Sequence, residues 1–542
     1  MGMGTTVRAM LKTVLTTSLI VAVPLGLVRS LGGFEAIELA AYDDFLRRRP
    51  VEAMDDRISI VTISDDDIEQ LQQFPIHDST FAQVLQKLER FNPRAIGLDI
   101  ARDVPQGPPA GRNQLTNVIS ASQTIVSGCL LSGGETTGSP PAPGTPEGGA
   151  AFADFPIDAD TIVRRVLLVS VPGASTRPIR VKHACNDPNP ANEIYSLSFE
   201  LARMYLEGEN INPEPTDQGE IRFGSQVLQR INSNFGSYAD ADASDYQMML
   251  NYRGAEPVFR EISIVDVLQN KIQPEWIRDR VILIGNTSNV SKDFLATPYL
   301  KTQLGLRNMH GVTVHAHAVS QILSAVLDQR PFIRSWSELA EILWLWLWAL
   351  GSGLLAFYNR RLGLFVLGLV GLSAAVWGIC YGVFVSQGLW IPWVPPLIGI
   401  ILTALGVRLA DLASRSGYAQ ALYEQIRDQM QAGGGRDRKG DYLERLVLRA
   451  RAVRQKEAMA EMLQDDTLSL ATANPEMRAL YEQIESKVRR DLATEQAAQM
   501  TANPQPRSST RQAGRIQGLL NRAQQLRNQP TPSNSQPPET LP

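Results

Sequence analysis

Apolar residues in this 542-residue chain are gathered into a few blocks, and the placement of those blocks constrains the fold more than any motif does. The first block is residues 10–28, MLKTVLTTSLIVAVPLGLV, with Arg8 ahead of it and Lys12 near its start. A helix needs about 20 apolar residues to cross a bilayer. No small-x-small cleavage site follows, so the block reads as an uncleaved anchor rather than a signal peptide. A second block begins at Glu338 and divides into three spans near 339–358, 362–384 and 391–409. The loop Asn359-Arg360-Arg361 is basic, the loop at Ser386-Gln387-Gly388 carries no charge, and Arg408 and Arg415 follow the last span. The positive-inside rule then predicts an integral membrane protein with both termini in the cytoplasm and residues 30–335 outside it. Trp336, Trp344, Trp346, Trp348, Trp390 and Trp393 fall toward the outer ends of the spans, as interfacial aromatic belts do. Gly371 with Ala375, and Ala374 with Gly378, give small-xxx-small spacing that suits packing within the bundle or a homodimer.

The exported part is organised around residues 57–105, RISIVTISDDDIEQLQQFPIHDSTFAQVLQKLERFNPRAIGLDIARDVP. Its first apolar run, Ile58 to Ile63, stops at Asp65, Asp66 and Asp67, and reads as a strand buried on both faces. Phe81, Val84, Leu85 and Leu88 recur at helical spacing, and Asn92-Pro93 ends that helix. A second strand, Ala95 to Ile100, runs into Asp99, Arg102 and Asp103. The unit is strand–helix–strand with acidic residues at the carboxyl strand ends, where open α/β sheets place their ligands. Further on come a short helix near 113–120, strands at 123–130, 162–171, 246–252 and 281–285, and helices at 193–206 and 312–327. The run Val281 to Gly285 reads as a central strand, and the last helix as the link toward the second span. Residues 132–150, SGGETTGSPPAPGTPEGGA, have no hydrophobic period and read as a disordered surface loop. The expected class is an α/β domain with a mixed or mainly parallel sheet, joined to a helical membrane bundle and a helical tail.

Candidate ligand contacts follow from the strand ends. Asp65, Asp66, Asp99, Arg102 and Asp103, joined by Lys292 and Asp293 after the strand that ends at Gly285, suit a polar ligand or a cation. Helix capping by Asp65 or Asp66 together with ion pairs is the structural alternative. His315 and His317 are two apart on a helix and do not share a face, so they and His310 read as core or surface residues rather than a metal site. No nucleophile–base pair stands out, and neither catalysis, nor a cofactor, nor a metal is expected. Cys129 and Cys185 both lie in the exported part, where an oxidising compartment permits a disulfide; two unrelated small core residues would look the same. The net charge of −4 gives no argument for nucleic acid.

Separated motifs in a fixed order carry a resemblance. After the 57–105 stretch come Phe152-Ala153-Asp154 with Arg164-Arg165 and the nearby Asp158 and Asp160, then Ser196-Leu197-Ser198-Phe199-Glu200-Leu201-Ala202 and Leu250-Asn251-Tyr252-Arg253. Arg280 to Gly285, Thr297-Pro298-Tyr299, His310 to Ala316 and Ser320-Gln321-Ile322-Leu323 complete the series. Across residues 35–335 the chain resembles the second type of CHASE domain, in a cyanobacterial-like form. The resemblance implies an extracytoplasmic sensory domain with three following transmembrane helices, a role in ligand or stress sensing, and an output enzyme in many relatives.

Such an enzyme would lie in residues 411–542, and its signatures are missing there. The five histidines, at 77, 183, 310, 315 and 317, all precede the second span, so the tail has no histidine phosphoacceptor and no HD-type metal site. Gly433-Gly434-Gly435 lacks the Lys-Ser/Thr ending of a phosphate-binding loop. Instead there are three apolar stripes, the first at Tyr418, Leu422, Ile426 and Met430, the second from Leu443 to Val453, the third from Met477 to Leu492. Narrow stripes need a partner helix. The resulting division is a stub and first span (1–29), a sensory domain (30–335), three spans (336–410), a coiled-coil-like tail (411–500) and a disordered end (501–542). The expected function is a receptor-like protein that binds an unknown small ligand or envelope component outside and signals through a cytoplasmic protein partner or a homodimer. The alternative is a structural or scaffolding membrane protein.

Overall fold

The structure is a computed structural model, and it describes residues 2–432 other than 256, 300, 303, 304, 307 and 360. Helices α1 (Gly2–Ser30) and α2 (Glu35–Arg48) come first. Strand β1 (Ile58–Ile63), helices α3 (Asp65–Leu71) and α4 (Asp78–Glu89), strand β2 (Ala95–Asp99) and helix α5 (Pro109–Ala121) follow. Next are strands β3 (Ile125–Cys129), β4 (Ala150–Phe152), β5 (Arg165–Ser170) and β6 (Ile194–Tyr195), then helix α6 (Leu197–Glu207). The short strands β7 (Pro213–Pro215), β8 (Ile221–Phe223) and β9 (Gln226–Leu228) precede β10 (Tyr246–Met249), β11 (Arg260–Ser263), helix α7 (Ile264–Leu268) and β12 (Val281–Asn286). Helix α8 (Gly311–Asp328) leads to three long helices, α9 (Glu338–Tyr358), α10 (Leu362–Gln387) and α11 (Val394–Ala432).

All six residues of β1 are buried, as its β-branched run requires. It pairs in parallel with β11 on one side and β12 on the other, and the order β11-β1-β12-β2-β3-β4 is parallel throughout. Strand alternation sends side chains to two layers. Ile58, Ile60, Val281 and Leu283 pack with α6 and α8, whereas Val61, Ile63, Ile282 and Ile284 pack with α4, α5 and α7. Each such side chain contributes about 1.5–3 kcal/mol by leaving water. Gly97 lets α6 approach the sheet: a Cβ there would stand 2.5 Å from Leu201 Cδ1. The antiparallel pairing expected of a mixed sheet is set apart, in β10-β5-β6 and β7-β8-β9.

Residues 132–150 depart from the disordered loop that their composition suggests. Leu130 bridges to Ser139 and Gly133 to Thr136, and the Ala142 N–H, on a buried residue, donates to Ser127 Oγ at 2.7 Å. The stretch has no period because it forms turns against the end of the sheet, where β4 adds the edge strand. A disulfide joins Cys129 at the end of β3 to Cys185, with Cα atoms 6.4 Å apart.

Leu11–Ser30, Glu338–Tyr358, Leu362–Gln387 and Val394–Ala413 are long and apolar enough to cross a membrane. Val14, Ala356, Phe365, Ala404 and Val407 share one cluster and so tie α1, α9, α10 and α11 together. Of the tail's stripes, Tyr418 to Met430 lies in α11; the other two fall outside the described residues.

Helix α2, which no sequence pattern singles out, lies between the α/β domain and these helices. Leu39, Tyr42 and Leu46 join the core that reaches β1. Tyr42 stands 4.8 Å from the Trp390 ring, and Phe45 5.4 Å from Tyr381 and 5.7 Å from Phe384. The Val394 N–H donates to Glu38 Oε1 at 2.7 Å, and the Tyr381 hydroxyl to the Arg48 carbonyl at 2.8 Å. Residues 334–335 pair in parallel with 389–390 beside it.

Candidate functional site

Parallel strands that end together bring their carboxyl ends to one edge, and Asp99 is the last residue of β2. Its side chain is 14 % exposed, and its Oδ2 is buried with no hydrogen-bond partner. His315, in the second turn of α8, places Nε2 3.8 Å from Asp99 Oδ1. The other imidazole nitrogen, Nδ1, is 2.8 Å from Ser198 Oγ of α6, and the ring of Phe155 lies 4.4 Å from the imidazole. Asp293, from the loop after β12, reaches the start of α8: a Cβ added to Gly311 would stand 3.1 Å from its Oδ1. His310 packs against the Phe294 ring at 4.8 Å, held by the short antiparallel pairing of 294–295 with 309–310. Asp65 closes the edge by accepting from the Asn289 N–H at 3.0 Å and its side-chain amide at 2.6 Å.

Burial sets the charges here. It pushes Asp99 up to about 7, and it pushes Asp293 up to about 6, with Asp99 adding to the rise and His315 and His310 opposing it. The same desolvation brings His315 down to about 4 and lowers His310. Asp65 is held low by its bonds from Asn289. At neutral pH the imidazoles are therefore uncharged, while the two carboxyls titrate close to neutrality. A ligand that donates a hydrogen bond would satisfy Asp99 Oδ2 in its ionised form. Ser198 is fully buried, so the line Ser198–His315–Asp99 does not present a nucleophile. Among the described residues no group of three or more His, Cys, Asp and Glu side chains is arranged to hold a metal.

Of the residues expected from sequence, Asp99 and Asp293 come together with Asp65 beside them. Asp66 is on the exposed face of α3, and Asp103 and Lys292 are exposed too. Arg102 is turned away from Asp99: it is buried over the Phe81 ring at 4.3 Å and donates to the Ile76 carbonyl at 2.6 Å, near Asp78. Neither Asp65 nor Asp66 caps α3. Ser64 is the N-cap, and Asp67 completes the capping box.

His315 and His310 are the site residues that sequence reasoning set aside. Their two-residue spacing correctly separates His315 from His317, which packs edge-on against Tyr252 and Phe259. Only the fold reveals that the His315 face meets a strand end. Arg164 and Arg165 build a separate buried network. Arg164 grips Asp43 of α2 with two bonds of 2.8 Å and also holds Asp158 and Asp160, while Arg165 and the Tyr238 hydroxyl complete Asp158. Asp154 accepts from the Leu131 N–H at 2.9 Å.

No curated protein and no solved structure matches the chain. The sequence profile of the CHASE2 domain matches residues 18–354, more than half of the chain, and takes in the parallel sheet, the strand-end site and parts of α1 and α9 on either side. By that match the chain belongs to the CHASE2 domain family, a family of extracytoplasmic sensory domains.

Proposed function

We propose that the chain is a membrane-anchored receptor-like protein whose α/β domain stands outside the cytoplasm and takes a small ligand at the strand-end site. The observation that carries this reading is Asp99, whose buried Oδ2 lacks a partner at the edge where parallel sheets bind ligands. Four apolar helices of spanning length support the anchoring, and the basic residues at Arg8, Lys12, Arg361 and Arg408 support cytoplasmic termini. Apolar stripes within residues 411–542 fit a signal passed to a cytoplasmic protein partner or through rearrangement of a homodimer. No reaction is assigned to the site.

Native mass spectrometry of the full chain, purified gently from its own host in detergent, tests the reading. A reproducible extra mass that is lost in Asp99→Asn, with the fold retained by circular dichroism, is the expected result. An extra mass unchanged by Asp99→Asn would move the ligand elsewhere on the domain. An unliganded mass in every preparation would count against a tightly held ligand.

A further inference from the structure

A second group of buried ionisable side chains sits apart from the strand ends, where the α/β domain meets the apolar helices. Glu38 of α2 is fully buried, and Glu341, in the first turn of α9, is 2 % exposed. Arg29, near the end of α1, pairs with Glu341 Oε2 and donates to the Gly236 carbonyl at 2.5 Å. Glu38 Oε1 accepts from the Val394 N–H, but Glu38 Oε2, Glu341 Oε1 and the Ser237 hydroxyl have no partner. One guanidinium, paired with Glu341 and acting on Glu38 through space, thus faces two carboxyls inside a seam made by α1, α2, α9, the start of α11 and the turn at 236–238.

The other groups that face the pair do not restore the balance. Glu35 lies on α2 itself and accepts from the Ala239 N–H; Glu338 of α9 accepts from the Asn234 amide. The Cys380 thiol faces Glu38 from α10, and the Trp393 and Val394 N–H groups face it from the chain entering α11. Among these described residues, Arg29 is the cation that faces the pair. A second buried carboxylate without a counter-charge is unfavourable, and protonation removes the penalty. Burial pushes Glu38 up to about 7, against the opposing pull of the Val394 N–H and Arg29.

We propose that Glu38 and Glu341 form a proton-binding site at this seam, and that the bound proton clamps the α/β domain onto the helices. With one carboxyl protonated, the nest is neutral and closes without water. With both ionised it holds one more negative charge than Arg29 offsets, and the carboxyls are relieved when the seam opens and hydrates. The direction follows from linkage. The closed seam binds Glu38's proton more tightly than an open, solvated one, so closure is favoured in acid and weakens as pH rises from about 4.5 through about 7. The proposal is independent of any ligand at Asp99.

Hydrogen–deuterium exchange on the full chain in lipid nanodiscs tests it. After correction for intrinsic exchange, the amides of residues 35–48 and of Val394 are expected to lose protection by up to about tenfold per pH unit between about pH 5 and pH 7. Glu38→Gln keeps the acceptor for Val394 and is expected to abolish that slope; Cys380→Ser, which removes the neighbouring thiol, is expected to leave it intact. A wild-type profile independent of pH overturns the proposal with no variant needed. So does a slope that persists in Glu38→Gln, or one that disappears in Cys380→Ser. A slope that changes when sodium is replaced by choline at fixed pH also overturns it, since a metal cation would then be the occupant.

Discussion

Arg164 sits at the centre of a buried cluster of charge. Its side chain is fully buried and meets Asp43, Asp158 and Asp160, of which the first two are buried with it. Replacing it by Ala leaves those carboxylates without a cation in a low-dielectric site, and removing one partner of a buried pair costs about 3–5 kcal/mol. Arg164→Ala is expected to lower the thermal midpoint of the full chain sharply or to prevent folding. Arg177→Ala removes an exposed pair with Glu135 and is expected to change stability by less than about 1 kcal/mol. Equal midpoints for the two variants would show that the buried network does not hold α2 to the sheet. Sequence reasoning could see Arg164 and Arg165 beside Asp158 and Asp160, but not Asp43, which comes from more than a hundred positions earlier. The same limit hid the partnership of Asp99 with His315. A strand end announces its own carboxylate, whereas the imidazole that meets it is placed by the packing of α8.

At the scale of elements, the strands and the amphipathic helices were legible because burial on one or two regular faces leaves a period in the sequence. The run Val281 to Gly285 is central in the sheet, as its composition implied, and α4 and α8 lie where their spacing puts them. Helix α2 was not legible, because its buried face carries Glu38 and Asp43 while Ala36, Ile37 and Ala40 are exposed, which blurs the apolar period. Its contacts make the seam sensitive to Gly236. That residue has φ +61°, and a Cβ on it would fall 2.4 Å from Trp390 Cε3, whereas Gly219, at φ +75°, faces open space. Gly219→Ala is expected to cost only the left-handed backbone, about 1–2 kcal/mol. Gly236→Ala adds a clash with a buried indole, and overpacking adds about 1–3 kcal/mol more. Exchange protection at residues 389–394 is expected to fall in Gly236→Ala and to stay unchanged in Gly219→Ala. The reverse order would mean that Trp390 yields freely and that the seam is not tightly packed.

At the scale of the whole chain, the apolar blocks predicted four long helices and the structure has them, packed through Val14, Ala356, Phe365, Ala404 and Val407. Which way they face is a matter of charge rather than of packing, because a helix bundle of this kind packs identically in either orientation. Arg361 lies between α9 and α10 and Arg408 within α11, whereas the turn between α10 and α11 has no lysine or arginine, and a cation left on the translocated side opposes insertion. The Trp390–Tyr42–Phe45 seam gathers at that uncharged end, which joins the α/β domain to the side opposite the arginines. Single cysteines in a Cys380→Ser background read this out, since Cys129 and Cys185 are bonded to each other. Gln387→Cys, on an exposed position beside the uncharged turn, is expected to react with a membrane-impermeant maleimide on intact cells. Tyr358→Cys, 67 % exposed beside the arginine loop, is expected to react only after permeabilisation. The opposite pattern would place the α/β domain in the cytoplasm, and an extracytoplasmic input at Asp99 would then be physically excluded.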